Sequence, residues 1–191
     1  MADHSGSPPF VGRQRELALL LARLAAAEAG QGGVALVGGE PGIGKTRLLL
    51  ELAGCARAQG WQILIGRAYQ AEWMPSYLPF KEALREYVRA CPAEDLRAQL
   101  GKGAAEVALL VPEVHDRLTN LPPSPPLSAD SERYRLFESV TDFLLAIARA
   151  SRPGALVLLD DLHAADKSAL LLLQHLTRKL AATPLLVVGT Y

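Results

Sequence analysis

One stretch limits this chain more than any other: Val34-Ala35-Leu36-Val37-Gly38-Gly39-Glu40-Pro41-Gly42-Ile43-Gly44-Lys45-Thr46. Val34 to Val37 is a short apolar run of the kind buried on both faces of a parallel sheet. Gly39 to Thr46 fits G-x-x-x-x-G-K-[ST], a phosphate-binding loop. Beyond it Leu48, Leu49, Leu52 and Ala56 recur at helical spacing, so the loop opens a helix. The physics requires that order. Glycines let successive backbone N–H groups turn inward around phosphates without Cβ clashes. The helix start adds orphan N–H donors and the positive end of its dipole. Lys45 supplies a point charge, and the Thr46 hydroxyl is suited to ligate Mg²⁺. A glycine-rich turn can match the pattern by chance, but chance does not supply the strand before it and the helix after it. Gly39, Glu40, Pro41, Gly42, Ile43, Gly44, Lys45, Thr46 and Arg47 are therefore expected to hold a nucleotide.

The other elements follow from apolar spacing. Leu17, Leu20, Leu21 and Leu24 mark a helix before the loop, and Gly60 stops the helix after it. Ile63 to Ile65 reads as a second buried strand. Helices are expected over Phe80–Ala90, over about Glu94–Leu100 and Ala104–Leu110, and over about Ser131–Ala150 with Phe137, Val140, Leu144 and Ala148 inward. Between them, Leu121-Pro122-Pro123-Ser124-Pro125-Pro126 is excluded from helix and central strand and reads as a stiff surface loop. Ala155 to Leu159 is a third strand, Asp166 an N-cap for a helix over Lys167–Leu180, and Leu185 to Thr190 a fourth strand. Strands alternating with helices imply an open, parallel α/β sheet. Residues 1–9 read as a loose lead-in and 10–191 as one domain.

With 20 basic and 20 acidic residues, the chain has no electrostatic footprint for nucleic acid. No apolar run approaches the roughly 18 residues of a membrane span and no signal peptide is evident, so a cytoplasmic, membrane-free setting is expected. Cys55 and Cys91 form no C-x-x-C pair, and Cys55 falls on the apolar helix face as a buried structural thiol.

The third strand ends in Asp160-Asp161. Ligands bind beyond the carboxyl ends of strands in open α/β sheets, so the strand delivers this pair to the edge that carries the loop. Asp160 is expected to hold Mg²⁺ opposite Thr46, and Asp161 to polarise the attacking water. With Lys45, Asp161 forms the expected catalytic pair. Doubled acids favour a hydrolase or switch over a small-molecule kinase. His163 reads either as a γ-phosphate sensor or, more commonly for such a position, as a loop cap.

These residues resemble the ATPase module of signal-transduction ATPases with numerous domains. The closer resemblance is to the AAA-like module at the front of large LuxR-type regulators related to the maltose regulator. It is carried by Phe10-Val11-Gly12-Arg13-Gln14-Arg15-Glu16-Leu17, by Gly39 to Thr46 and by Leu159-Asp160-Asp161-Leu162-His163-Ala164-Ala165-Asp166. Tyr134 to Glu138 and Gly189-Thr190-Tyr191 add to it. The resemblance implies a P-loop NTPase fold, a three-layer α/β/α sandwich of the ASCE, AAA-like kind, with a helical, proline-containing insertion between strands 2 and 3. It implies ATP or ADP with Mg²⁺ as cofactors and places Val11, Gly12 and Arg13 on the adenine and ribose side. Two departures stand out: the family usually has Trp where Ala164 stands, and an Arg directly after the position of Tyr191. A fifth strand, a lid and a winged helix are also wanting, so a domain truncated after its fourth strand is expected. In the strand order typical of the class, Val34 to Gly38 then becomes an edge, and self-association is expected.

The leading expectation is an ATP-binding, weakly hydrolysing switch in a transcriptional regulator whose DNA-binding part lies elsewhere. The alternatives are a nucleotide-held interaction scaffold without significant hydrolysis and a regulatory module of a signalling enzyme such as a cyclase or kinase. Met1 lies only nine residues before Phe10, which argues that no catalytic domain precedes the module.

Overall fold

The computed structural model describes residues 12–69, 75–121 and 123–191. The lead-in over residues 1–9, and Phe10 and Val11 after it, lie outside the described residues, as does Pro122 of the proline run. In chain order come α1 (Gln14–Glu28), β1 (Gln31–Val37), α2 (Lys45–Ala58), β2 (Gln62–Arg67) and α3 (Leu78–Ala90). The helical insertion follows as α4 (Ala93–Leu100), a 3-10 turn, α5 (Ala104–Leu110), α6 (Glu113–Arg117) and the long α7 (Ala129–Ala150). Then come β3 (Ala155–Asp160), a 3-10 turn over Leu162–Ala164, α8 (Lys167–Thr177) and β4 (Thr183–Thr190).

The four strands are parallel in the order β1-β4-β3-β2. Every residue of β3 is buried, and its side chains alternate between two cores, as the period of a strand requires. Leu156 and Leu158 pack with Leu20 and Leu24 of α1 and Leu48, Leu49 and Leu52 of α2. Ala155, Val157 and Leu159 pack with Phe80 and Leu84 of α3, Phe143 and Leu144 of α7 and Leu172 of α8. The result is the expected α/β/α sandwich. Phe137, Val140, Leu144 and Ala148 all face inward on α7. Within the described sheet β1 pairs only with β4, so it is an edge.

Several boundaries differ from the sequence reading, each for a physical reason. β1 begins at Gln31, because parallel pairing of Gln31 with Thr183 overrides the weak strand preference of the glycines that follow; the register shifts between Gln31 and Gly33. β2 runs on to Arg67, held by six residues of ladder against β3. α8 stops at Thr177, because Arg178 and Lys179 close a tighter turn onto His175 and Leu176. Cys55 is half-buried rather than buried.

Candidate nucleotide site

β1 delivers the chain to the loop, and α2 starts at Lys45. Gly42 and Gly44 have φ of +79° and +90°, values that strain any residue with a Cβ, and a Cβ built at either meets no atom within 4 Å. Gly44 is the N-cap residue of α2 and no side chain caps the helix. The orphan N–H groups of its first turn are thus left for an anion. Lys45, 8% exposed, folds back over the loop and donates from Nζ to the carbonyls of Gly39 (2.6 Å) and Glu40 (3.1 Å). Arg47 pairs through Nε with Glu51 (2.9 Å). Glu40, Pro41 and Ile43 are exposed along the loop.

Asp160 sits at the end of β3 beside that helix start. The Thr46 hydroxyl donates to Asp160 Oδ2 (2.8 Å), and the Thr190 hydroxyl, from the end of β4, donates to Oδ1 (2.6 Å). Two elements far apart in sequence therefore hold one buried carboxylate. Asp161 lies in the left-handed region (φ 58°), pinned by its N–H donating to Thr190 Oγ1 (2.8 Å). Its side chain accepts from Arg67 Nε (2.9 Å) and Nη2 (2.8 Å), and Arg67 Nε also lies 3.6 Å from Asp160 Oδ2. The Asp161 carboxylate, foremost through these hydrogen bonds, raises the Arg67 guanidinium above its ordinary value.

Arg67 was missed by sequence reading, and so was the role of Thr190. The sequence held no local signal for Arg67: only the end-to-end pairing of the six-residue β2 and β3 sets it opposite Asp160. The approach of α3 is what fixes it. A Cβ at Gly66 would lie 1.7 Å from the Pro79 carbonyl, so only glycine admits α3 this close, and Glu82 Oε2 then accepts the Arg67 N–H (2.9 Å). Tyr191 is a further participant, with its ring against Gly38 and its N–H donating to the Val37 carbonyl (3.1 Å).

Of the residues expected on the base side, Val11 lies outside the described residues. Gly12 precedes α1, and Arg13 lines, with Leu36 and Gly38, an open groove of about 550 Å³ beside the loop. His163 is exposed near Arg67, Tyr69 and Asp161. Ala164 closes the turn by donating its N–H to the Asp161 carbonyl (2.8 Å). Asp166 caps α8 as expected, accepting from the Ser168 N–H (3.0 Å), and also accepts from Tyr77 N (3.0 Å) at the start of α3.

A phosphate loop at the head of a helix, beside an acid-tipped parallel strand, defines a nucleotide-binding α/β domain. The family follows: the model of the AAA ATPase domain matches residues 9–188, and the chain belongs to that family. It is also 30% identical over 193 residues to an uncharacterized protein of Rhizobium meliloti (strain 1021), covering 95% of this chain and 18% of that relative. The chain thus spans about a fifth of the length of the relative it matches. No helix among the described residues is long and apolar enough to cross a membrane.

Proposed function

We propose that this domain is an ATP-binding, slowly hydrolysing switch within a longer cytoplasmic transcriptional regulator. The observation that carries the reading is the convergence of Lys45, Thr46, Asp160 and Asp161 at one sheet edge, with the glycine loop open above them. On this reading residues 39–47 cradle the phosphates, and Lys45 exchanges its two carbonyl partners for phosphate oxygens. Gly12 and Arg13 contribute to the base side. Thr46 and Asp160 are hard oxygen ligands 2.8 Å apart, a donor pair that suits Mg²⁺ completed by phosphate and water. The ion, when bound, neutralises charge on the phosphates.

Asp161 has the role of orienting water. In hydrolysis a water oxygen bonds to the γ-phosphorus, the bond to the bridging oxygen breaks, and the water proton passes toward the carboxylate. As the structure stands, Arg67 occupies Asp161 Oδ2 with two N–H groups, which competes with water for that oxygen and keeps turnover slow. The same pairing favours the second reading, a nucleotide-held scaffold without significant hydrolysis. Single-turnover cleavage of ATP by the full-length protein separates the two. Cleavage at the rate of uncatalysed ATP would leave only the scaffold.

The regulator setting is supported by the motif set at the start of α1, in the loop and after β3, which resembles LuxR-type regulators. A regulatory module of a cyclase or kinase shares the same domain, and the activities assayed in the full-length protein discriminate. The β1 edge, where Leu36 is 57% exposed, supports self-association in a nucleotide-dependent way, read by sedimentation with and without Mg·ATP.

A further inference from the structure

We infer that Glu82, on the second turn of α3, positions Arg67 against Asp161 and thereby ties the rate of nucleotide cleavage to the seating of α3. The inference deepens the proposed function and rests on its reading of Asp161 as the group that orients water.

Arg67 is the last residue of β2, and within the described sheet β2 pairs only with β3. The Ala68 N–H turns toward β3 and donates to the Asp160 carbonyl (3.0 Å). One residue earlier, the Arg67 N–H points to the other side, where the described sheet has no strand to pair with it. Glu82 Oε2 accepts it at 2.9 Å. Without such a partner the last residue of an edge strand frays at almost no cost.

The fixed backbone matters because of what the side chain does. The Arg67 guanidinium is half-exposed, and exposed ion pairs are weak because two mobile side chains must be held in one geometry. Holding the Arg67 backbone from both sides removes part of that cost, and Nε and Nη2 reach Asp161 Oδ2 at 2.9 and 2.8 Å. Glu82 is not a rival carboxylate. Among the described residues the guanidinium pairs with Asp160 and Asp161 and not with Glu82.

α3 is itself tied at both ends of this contact. Gly66 admits the backbone of Pro79 and Ala83 against β2. At the helix start the Tyr77 N–H donates to Asp166 Oδ1 (3.0 Å), and the Tyr77 ring meets Phe137 of α7 edge-on, with centroids 6.0 Å apart. Glu82 thus connects the acidic edge to the helical insertion, and a shift of α3 that opens its bond to Arg67 frees Asp161.

The test compares single-turnover cleavage of ATP by the full-length protein in wild type, Glu82→Ala, Glu82→Gln, Arg67→Gln and the E82A/R67Q double variant. Glu82→Ala should raise the rate roughly three- to tenfold, up to the gain of Arg67→Gln, with Mg·ATP affinity unchanged. Glu82→Gln keeps an oxygen to accept the N–H and should restore the slow rate. The double variant should be no faster than Arg67→Gln, because both changes release one contact. In nucleotide-free protein carrying isotope-labelled arginine, the Arg67 Nε–H signal, assigned by its loss in Arg67→Gln, should be protected from exchange in wild type and Glu82→Gln. In Glu82→Ala it should lose that protection, whereas removing a mere strand cap would leave it unchanged. A wild-type rate and signal in folded Glu82→Ala, or gains that add in the double variant, would overturn the positioning role while Arg67→Gln still raised the rate. No gain in Arg67→Gln would overturn the inference together with the reading of Asp161 on which it rests.

Discussion

Replacing Thr190 with Val removes one hydroxyl at nearly constant volume and tests how the acidic edge is held together. Thr190 is fully buried, and its hydroxyl makes two bonds: it donates to Asp160 Oδ1 at 2.6 Å and accepts the Asp161 N–H at 2.8 Å. The first goes to a carboxylate, and such bonds are worth about 1.5–3 kcal/mol. Losing the second leaves a backbone donor unpaired at a cost of about 1–3 kcal/mol where water cannot replace its partner. The bond from the Asp161 N–H is only part-buried, so water recovers part of that second term. A net loss of about 3 kcal/mol is expected, a large share of the 5–15 kcal/mol typical of a domain. In a domain of this size that corresponds to a fall of roughly 6–12 °C in Tm. Urea unfolding of wild type, Thr190→Val and Thr190→Ser measures it. The Ser variant keeps the hydroxyl and should lose only about 1 kcal/mol, the worth of a buried methyl. Equal stabilities of the Val and Ser variants would refute the bond accounting.

Three other outcomes follow from the same geometry. Asp160→Ala should weaken Mg²⁺-dependent nucleotide binding, and Asp161→Ala should leave binding largely intact while slowing cleavage in the full-length protein; equal loss of binding in both would show that the roles are not divided. Arg67→Gln frees Asp161 and should raise single-turnover cleavage by roughly tenfold, a fraction of the 10²–10⁴ that a positioned base contributes; a fall in rate would assign Arg67 to the phosphates instead. Glu138, hydrogen-bonded by Lys179 and 2.9 Å from His175 Nε2, has its carboxyl held below the ordinary value, chiefly by the Lys179 bond. Its contribution is therefore present above the unfolded pKa and lost as pH falls through the folded one, so Glu138→Gln should lessen the drop in urea midpoint between pH 6 and pH 3, and an unchanged drop would exclude it.

What could be read in the sequence was what local pattern encodes. The glycine spacing of the loop, the wholly apolar Ala155 to Leu159 and the inward stripe of α7 each need only neighbours in sequence. Asp166 as a cap and residues 123–126 of the proline run as a loop were legible for the same reason. The end of β2 was not, because Gly66 and Arg67 break the apolar run and their strand state depends on pairing with β3. Thr190 carried no local mark of its work, since its partners lie 30 and 29 residues away. α6, five residues long between Pro112 and Leu118, is too short for periodicity to reveal.

The central claim is that Lys45 and the loop before it hold a nucleotide with Mg²⁺. The most direct measurement is unfolding of wild type and Lys45→Ala by denaturant, each with and without Mg·ADP and Mg·ATP. At a hundred times the dissociation constant, nucleotide should stabilise the wild type by about 2.7 kcal/mol, and the variant should gain little. A folded wild type that gains nothing from either nucleotide, or a Lys45→Ala variant that gains as much, would contradict the account.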